Sequence, residues 1–337
     1  MKRLLTVLTA LLLMLALCAC EQETVQESSD IMSQTDQSEE AVSETSSESD
    51  DLSNSDKGSE VTPLFWKVSG ENGETIWLFG SIHAGTENYY PLPEAVLEAY
   101  NGSDYLAVEV DVVAFENDMQ AATEVMKKLV YTDGTTIKDH IPEELYKRAV
   151  AVLTEGDMYS ALFDYYIPSL WESLMTNICL IESGLDSDLG IDRYFLNSAK
   201  ESGKEIIEIE SAEMQYQMLA DFSDEVQVML LESAVSSRED GSDAESLKEL
   251  AAAWGRGDES ELTALVIPKE DEIVTDADKE YWNAMIVERN NGMTDFCIDA
   301  LENSEEAFVV VGLAHFLGED GIVNQLIEKG YTVEAVY

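Results

Sequence analysis

Two apolar runs that stop at the same short ending constrain this chain more than anything else in it. They are Ile76–Trp77–Leu78–Phe79–Gly80–Ser81–Ile82–His83 and Phe308–Val309–Val310–Val311–Gly312–Leu313–Ala314–His315. A short continuous apolar run reads as an interior strand, so each is a buried strand closing on Gly-x-x-His. The chain has only three histidines, and histidine is the one side chain that titrates near neutrality unaided. Two of them in matched strand-end contexts, far apart in sequence, predict a fold that brings His83 and His315 to one site.

The rest of the pattern supplies the frame. Leu64–Ser69 and Thr75–Gly80, around the turn Gly70–Glu74, read as a hairpin. Pro93 suits the first turn of a helix through Glu94–Tyr100. Tyr105–Asp111 is another interior strand, and Glu205–Glu210 reads as a strand. Between and after them lie helical patterns over 115–131, 142–155, 159–183, 190–202, 212–220, 224–236, 242–254, 259–266, 277–290 and 294–301. A helix over 321–329 and a strand over 331–336 close the chain. This order predicts an α/β class, with helices packed around a core sheet and helical excursions between the core strands. Ligands bind such sheets beyond the carboxyl ends of the strands. His83, Glu109, Glu210 and His315 all fall at or just past predicted strand ends.

The first sixty residues have a different character. Met1–Lys2–Arg3 and the apolar run to Ala19 have the layout of a secretory signal, too short for an ordinary spanning helix. The ending Leu17–Cys18–Ala19–Cys20 is similar to a bacterial lipobox, which makes 1–19 the signal peptide and Cys20 the lipidated residue. An acyl chain contributes about 0.8 kcal/mol per buried CH₂, so a diacylglyceryl group would hold the protein at an extracytoplasmic membrane face. Residues 20–60 read as an acidic, Ser/Glu-rich tether unable to offset its ordering entropy. That leaves 61–337 as the folded domain. With 19 basic and 69 acidic residues the formal charge is −50, which argues against nucleic acid as a partner and confines membrane contact to the lipid. Cys179 and Cys297 lie in apolar helical patterns and read as small hydrophobes.

Two histidines with one or two carboxylates form the ligand set of many hydrolytic metal sites. His83, Glu109, Glu210 and His315 are therefore candidate ligands for Mn, Co or Zn, which would activate water or polarise a carbonyl. A metal-free version uses the same residues, with a histidine as general base oriented by Glu109 and an arginine stabilising developing negative charge. Asp111 reads as a helix cap and His140 as a surface residue. The chain contains no Gly-x-Ser-x-Gly elbow, P-loop or His-Glu-x-x-His.

Several stretches together resemble the TraB/GumN (TIKI-like) family. They are Leu78–His83 with Tyr90–Pro93, Leu106–Asp111, Gly190–Phe195 with Ala199–Lys204, Ile209–Glu210, Glu288–Asn290, and Val311–Gly321 ending in Gly330–Val333. The resemblance runs from about Leu64 to Tyr337. It implies a TIKI-like core sheet, His83 and His315 as the motif histidines, Glu109 as the strand-end acid and Arg289 as the cation. Glu210 and Asp192 carry over more weakly. Some members are metal-dependent proteases acting on Wnt proteins, and others lower peptide-pheromone activity. More distant relatives include erythromycin esterase-like enzymes and a haem-binding lipoprotein branch. Together with the lipobox-like ending at Cys20, the resemblance implies a lipid-anchored, metal-dependent peptidase with a peptide or protein substrate, or alternatively a non-catalytic peptide- or haem-binding lipoprotein. Tyr89–Tyr90 beside the first histidine motivates the haem version.

Overall fold

The computed structural model describes residues 61–336; the expected signal peptide, Cys20 and the tether lie outside the described residues. In chain order the elements begin with β1 (Phe65–Ser69), β2 (Thr75–Ser81), α1 (Glu94–Gly102), β3 (Tyr105–Val108), α2 (Val112–Glu116) and α3 (Met119–Lys128). Next come α4 (Ile137–His140), α5 (Glu143–Glu155), α6 (Pro168–Ser183), α7 (Ile191–Ser202) and β4 (Glu205–Glu208). The second excursion comprises α8 (Ala212–Asp221), α9 (Asp224–Asp240), α10 (Ser242–Arg256), α11 (Glu259–Val266), α12 (Asp276–Trp282) and α13 (Glu288–Glu302). The chain closes with β5 (Ala307–Gly312), α14 (Ile322–Glu328) and β6 (Thr332–Ala335).

The strands form one six-stranded sheet in the order β4-β3-β5-β2-β1-β6. The four strands from β4 to β2 run parallel, and β1 is antiparallel to both β2 and β6. The fold is therefore the expected α/β class. β3 and β5, flanked on both sides, are buried along their whole length, as continuous apolar strands in such a sheet must be.

Alternation along the strands divides the core into two faces. On one face Phe79 meets Phe195 of α7 and Trp254 of α10, with ring centroids 5.6 and 6.3 Å apart. Tyr100 of α1 meets Phe308 there at 5.5 Å. Trp254 is also pinned to the sheet backbone, since its indole N–H donates to Gly80 O at 2.8 Å. On the opposite face Trp66 packs on Phe316 at 5.3 Å. A second cluster, built on Leu145, Leu153, Trp171 and Leu231, joins α5, α6 and α9 away from the sheet.

Three helical segments differ from their sequence reading. The pattern over 115–131 breaks into α2 and α3, because Asp118 caps the backbone N–H groups of Gln120 and Ala121 and so starts a new helix. The pattern over 159–183 becomes helical only at Pro168, after a 3-10 turn over Ala161–Tyr165. The patterns over 277–290 and 294–301 are continuous through α13, and a π-helical segment at Asn283–Val287 interrupts the first of them, between α12 and α13. Cys179 and Cys297 are free and buried, and burial pushes the Cys297 thiol up to about 12. Among the described residues, no helix is long and apolar enough to cross a membrane.

Candidate functional site

Because β4, β3, β5 and β2 are parallel, their carboxyl ends share one edge of the sheet, and the candidate residues gather there. The two Gly-x-x-His motifs are adjacent but staggered: Gly80 pairs with Val311 and Ser81 with Gly312. Both glycines sit in close quarters. A Cβ at Gly80 would lie 2.9 Å from the Leu313 side chain, and one at Gly312 would lie 3.2 Å from Glu109 Oε1.

His83 emerges from β2 against the start of α7. The Ile191 N–H donates to Ile82 O at 2.9 Å, which seats the first turn of α7 on the strand end. Asp192 is thereby brought to His83 Nδ1 at 2.6 Å. Its other oxygen accepts from the Ser81 hydroxyl at 2.6 Å. Burial opposes the imidazolium of His83, but the charge and hydrogen bond of Asp192 outweigh it and raise its pKa.

His315 has a different setting. It sits in the 3-10 turn Leu313–Phe316 and is buried. Its Nδ1 lies 2.6 Å from Asn290 Oδ1, and the Asn290 amide N–H donates to Asp320 O at 2.8 Å. That second bond turns the amide oxygen toward the ring. His315 therefore donates through Nδ1 and keeps a lone pair on Nε2. Burial, reinforced by the charge of Arg289, pushes its pKa down to about 3. His83 lies near enough for its charge to act on both His315 and Glu109.

Between the histidines is a buried ionic group. Arg289 donates from Nη2 to Glu109 Oε2 at 2.5 Å and to Glu210 Oε2 at 2.8 Å, and from Nε to Glu210 Oε1 at 2.9 Å. Gln215 Nε2 also reaches both carboxylates, at 3.2 Å from Glu109 and 2.7 Å from Glu210. The other Glu109 oxygen accepts from Gly312 N–H at 2.6 Å and stands 3.8 Å from His315 Nε2. Burial would raise the pKa of Glu109, but Arg289 above all holds its carboxyl well below the usual range. Arg289 stays charged because its two carboxylates outweigh its desolvation.

His83, Glu109, Asp192, Glu210, Arg289 and His315 thus converge. Arg289 binds and balances the two carboxylates, with a further bond from Nη1 to Met285 O at 3.2 Å. Asp111 stays outside the cluster: it caps Ala114 N–H at 2.9 Å and pairs with Lys200 at 2.7 Å. His140 is remote and stacks on Tyr131 at 4.1 Å. Ser81, Gln215 and the orienting role of Asn290 had no sequence signal beyond their nearness to motif residues. The Tyr89 and Tyr90 hydroxyls donate to Ala251 O and Leu189 O at 2.9 and 3.0 Å, and burial pushes the Tyr89 phenol up to about 12. Both hydroxyls are thus tied to backbone carbonyls.

The donor set can be tested against a resident metal. Each histidine has Nδ1 anchored to an acceptor, as metal-bound histidines do. Both carboxylates, however, are engaged by Arg289. Among the described residues, no group of three or more His, Cys, Asp or Glu side chains is arranged to hold a metal ion. The residues as arranged do not fit that role.

Comparisons with known proteins agree with this layout. The chain is 29% identical over 151 residues to the uncharacterized protein YbaP of Escherichia coli (strain K12), and equally to YbaP of Shigella flexneri. Each alignment covers 44% of this chain and 52% of the relative, so the chain spans about half the length of the curated relatives it matches. No solved structure matches. The family match is much longer, covering residues 64–335 and with them every side chain of the strand-end cluster: the chain belongs to the TraB/PrgY/gumN family.

Proposed function

We propose that the chain hydrolyses peptide bonds at this rim by acid–base catalysis, with His83 as the proton carrier. The observation that supports this most directly is the His83–Asp192 pair, a 2.6 Å contact that leaves Nε2 free of hydrogen bonds among the described residues. In this reading Nε2 takes a proton from water as the water oxygen bonds to the peptide carbonyl carbon. Asp192 stabilises the imidazolium so formed. The same proton then passes to the leaving nitrogen as the C–N bond breaks. His315 Nε2 and Glu109 Oε1 are both acceptors, 3.8 Å apart, and together suit a donor such as the attacking water. Arg289 and Gln215 keep the two carboxylates in place. The peptide substrate class comes from the family resemblance, as does the alternative of peptide sequestration without cleavage.

The proposed location is extracytoplasmic, through a lipid on Cys20, and rests on the Leu17–Cys20 sequence. A mature N-terminus at Cys20 carrying a diacylglyceryl mass supports it; an unmodified cysteine overturns it. For catalysis, the full chain and a His83→Ala, His315→Ala variant are compared on a peptide library, with chelator and then with Mn, Co or Zn. The expected result is cleavage in chelator that drops about 100-fold or more in the variant, the usual worth of a positioned acid–base group. Equal turnover by both proteins discards the reading. Cleavage only with added metal transfers the histidines to a metal role, and binding without cleavage leaves sequestration.

A further inference from the structure

Beside the strand-end cluster lies an open groove of about 540 Å³, within the range of about 300–1,000 Å³ typical of ligand pockets. It starts where the candidate site stops. Asp111 follows Glu109 by two residues at the end of β3, and Ser211 follows Glu210 at the end of β4; both line the groove. The helix α8 serves both places, since Ala212 and Glu213 face the groove while Gln215 binds the two buried carboxylates.

The groove floor is apolar, formed by Ala114, Phe115, Ala121, Val125 and Ala212. Phe115 is held by stacking on Tyr216, with centroids 5.8 Å apart. Methionines 119 and 214, next to the lining residues Gln120 and Glu213, are 60% and 42% exposed. Exposed methionine is an adaptable contact for apolar stems of varied shape.

Five carboxylates, Asp111, Asp118, Glu124, Glu208 and Glu213, stand around this floor with one lysine, Lys128. Each uses one oxygen to hold its place: Asp111 on Lys200, Asp118 on α3, Glu124 on Lys127, Glu208 on the Asp111 N–H and Glu213 on Lys128. The second oxygen of each has no hydrogen-bond partner among the described residues. Counting Lys127 and Lys200 with Lys128, five negative charges face three positive ones, so the groove stays negative by two. An apolar floor under unpartnered acceptors matches a side chain with an aliphatic stem and a cationic head, which is lysine or arginine.

We propose that this groove is a subsite for a lysine- or arginine-bearing segment of the peptide that the strand-end cluster acts on. The proposal rests on the peptide reading of that cluster and adds the class of peptide. It assigns the chain a preference for basic residues a short way from the scissile bond, and gives α3 and α8 the role of reading them.

The test measures binding alone, so that it does not depend on cleavage. Dye-labelled peptides of equal length, carrying two lysines, two glutamates or neither, are titrated by fluorescence anisotropy into the full chain with His83→Ala and His315→Ala. The expected result is at least tenfold tighter binding of the lysine peptide, weakening as salt is raised. Glu124→Lys with Glu213→Lys should remove that preference. Glu143→Lys with Glu144→Lys, on α5 outside the groove, makes the same change in net charge and should leave it intact. Ala121→Phe, which fills the floor, should weaken the lysine peptide too. Equal binding of lysine and glutamate peptides overturns the proposal. So does an equal loss in the α5 variant, which would trace the preference to the chain's overall charge. Failure of the cleavage assay with this preference intact would discard the hydrolase and leave the subsite standing.

Discussion

At the scale of single residues, the two motif histidines are alike in sequence and unlike in setting. His83 faces a carboxylate, Asp192, and His315 faces an amide, Asn290. Their effects on stability against pH therefore have opposite signs. The pKa of His315 is pushed below its ordinary 6.5, to about 3. As pH falls below 6.5, the unfolded chain takes up a proton that the folded site refuses, and stability drops by at most about 1.4 kcal/mol per pH unit from this group. The pKa of His83 is raised, so its contribution is complete below pH 6.5 and is lost as pH rises through the folded value. Urea unfolding of His315→Gln should show a shallower decline between pH 6.5 and 4 than the parent. Asp192→Asn should remove the alkaline loss and lower the His83 pKa in an NMR titration. The histidines, Glu109 and Glu210 were legible in the sequence because strand polarity and Gly-x-x-His spacing fix where they must fall, whereas Arg289, on a helix, came only from the family resemblance of Glu288–Asn290. Gln215 was not, since a buried amide in a helix follows no period. It is recognised only when two carboxylates are found converging on its one nitrogen.

At the scale of elements, the π-helical segment Asn283–Val287 sets the register of the helix that follows it. It joins α12 to α13 just before Arg289 and Asn290. Those two consecutive residues serve different partners: Arg289 the carboxylates and Asn290 His315. A one-residue change in helical register turns whatever follows by about 100°. Deleting Ala284 should therefore carry Arg289 away from Glu109 and Glu210, leaving buried charges uncompensated. The expected loss is about 3–5 kcal/mol, close to that of Arg289→Leu. Denaturant unfolding of both variants checks this, and a neutral deletion would deny the segment its positioning role. The sequence concealed the device because an extra residue in a helix resembles an ordinary lapse in apolar spacing. The pattern over 277–290 therefore reads as an ordinary helix, although the π-helical segment lies within it. The split of 115–131 was missed for the converse reason: Asp118 looked like one more acid until its oxygen was found on two backbone N–H groups.

At the scale of the whole molecule, the described residues have a main core on both faces of the sheet, another among α5, α6 and α9, and a small third cluster of Ala84, Cys179, Leu180 and Leu247. This separates stability from chemistry. Leu153→Ala, at a fully buried position of the second cluster, should cost about 2–5 kcal/mol and leave the His83 and His315 titrations unchanged. Trp254→Ala should cost about 3–5 kcal/mol and also disturb the rim, because Trp254 holds the Gly80 carbonyl three residues before His83. Calorimetry paired with the NMR titration distinguishes the two outcomes. The overall layout was readable in advance because long apolar runs have few places to go in an α/β chain. The separation of the α5–α6–α9 core from that of the sheet was not, since Trp171 and Phe195 look alike in a sequence and only packing assigns them to different clusters.

The strand order has a further consequence. The sheet is open, and its outermost members are β4 and β6. Such borders can template the addition of strands from another chain. Here β4 carries exposed Glu205 and Glu208, and β6 carries exposed Glu334. Two neighbouring molecules approaching border to border would bring like charges together while those groups are ionised. Mild acid would lift that repulsion, so clumping should begin in the carboxylate titration range while the fold is still largely intact, and light scattering should rise before circular dichroism falls.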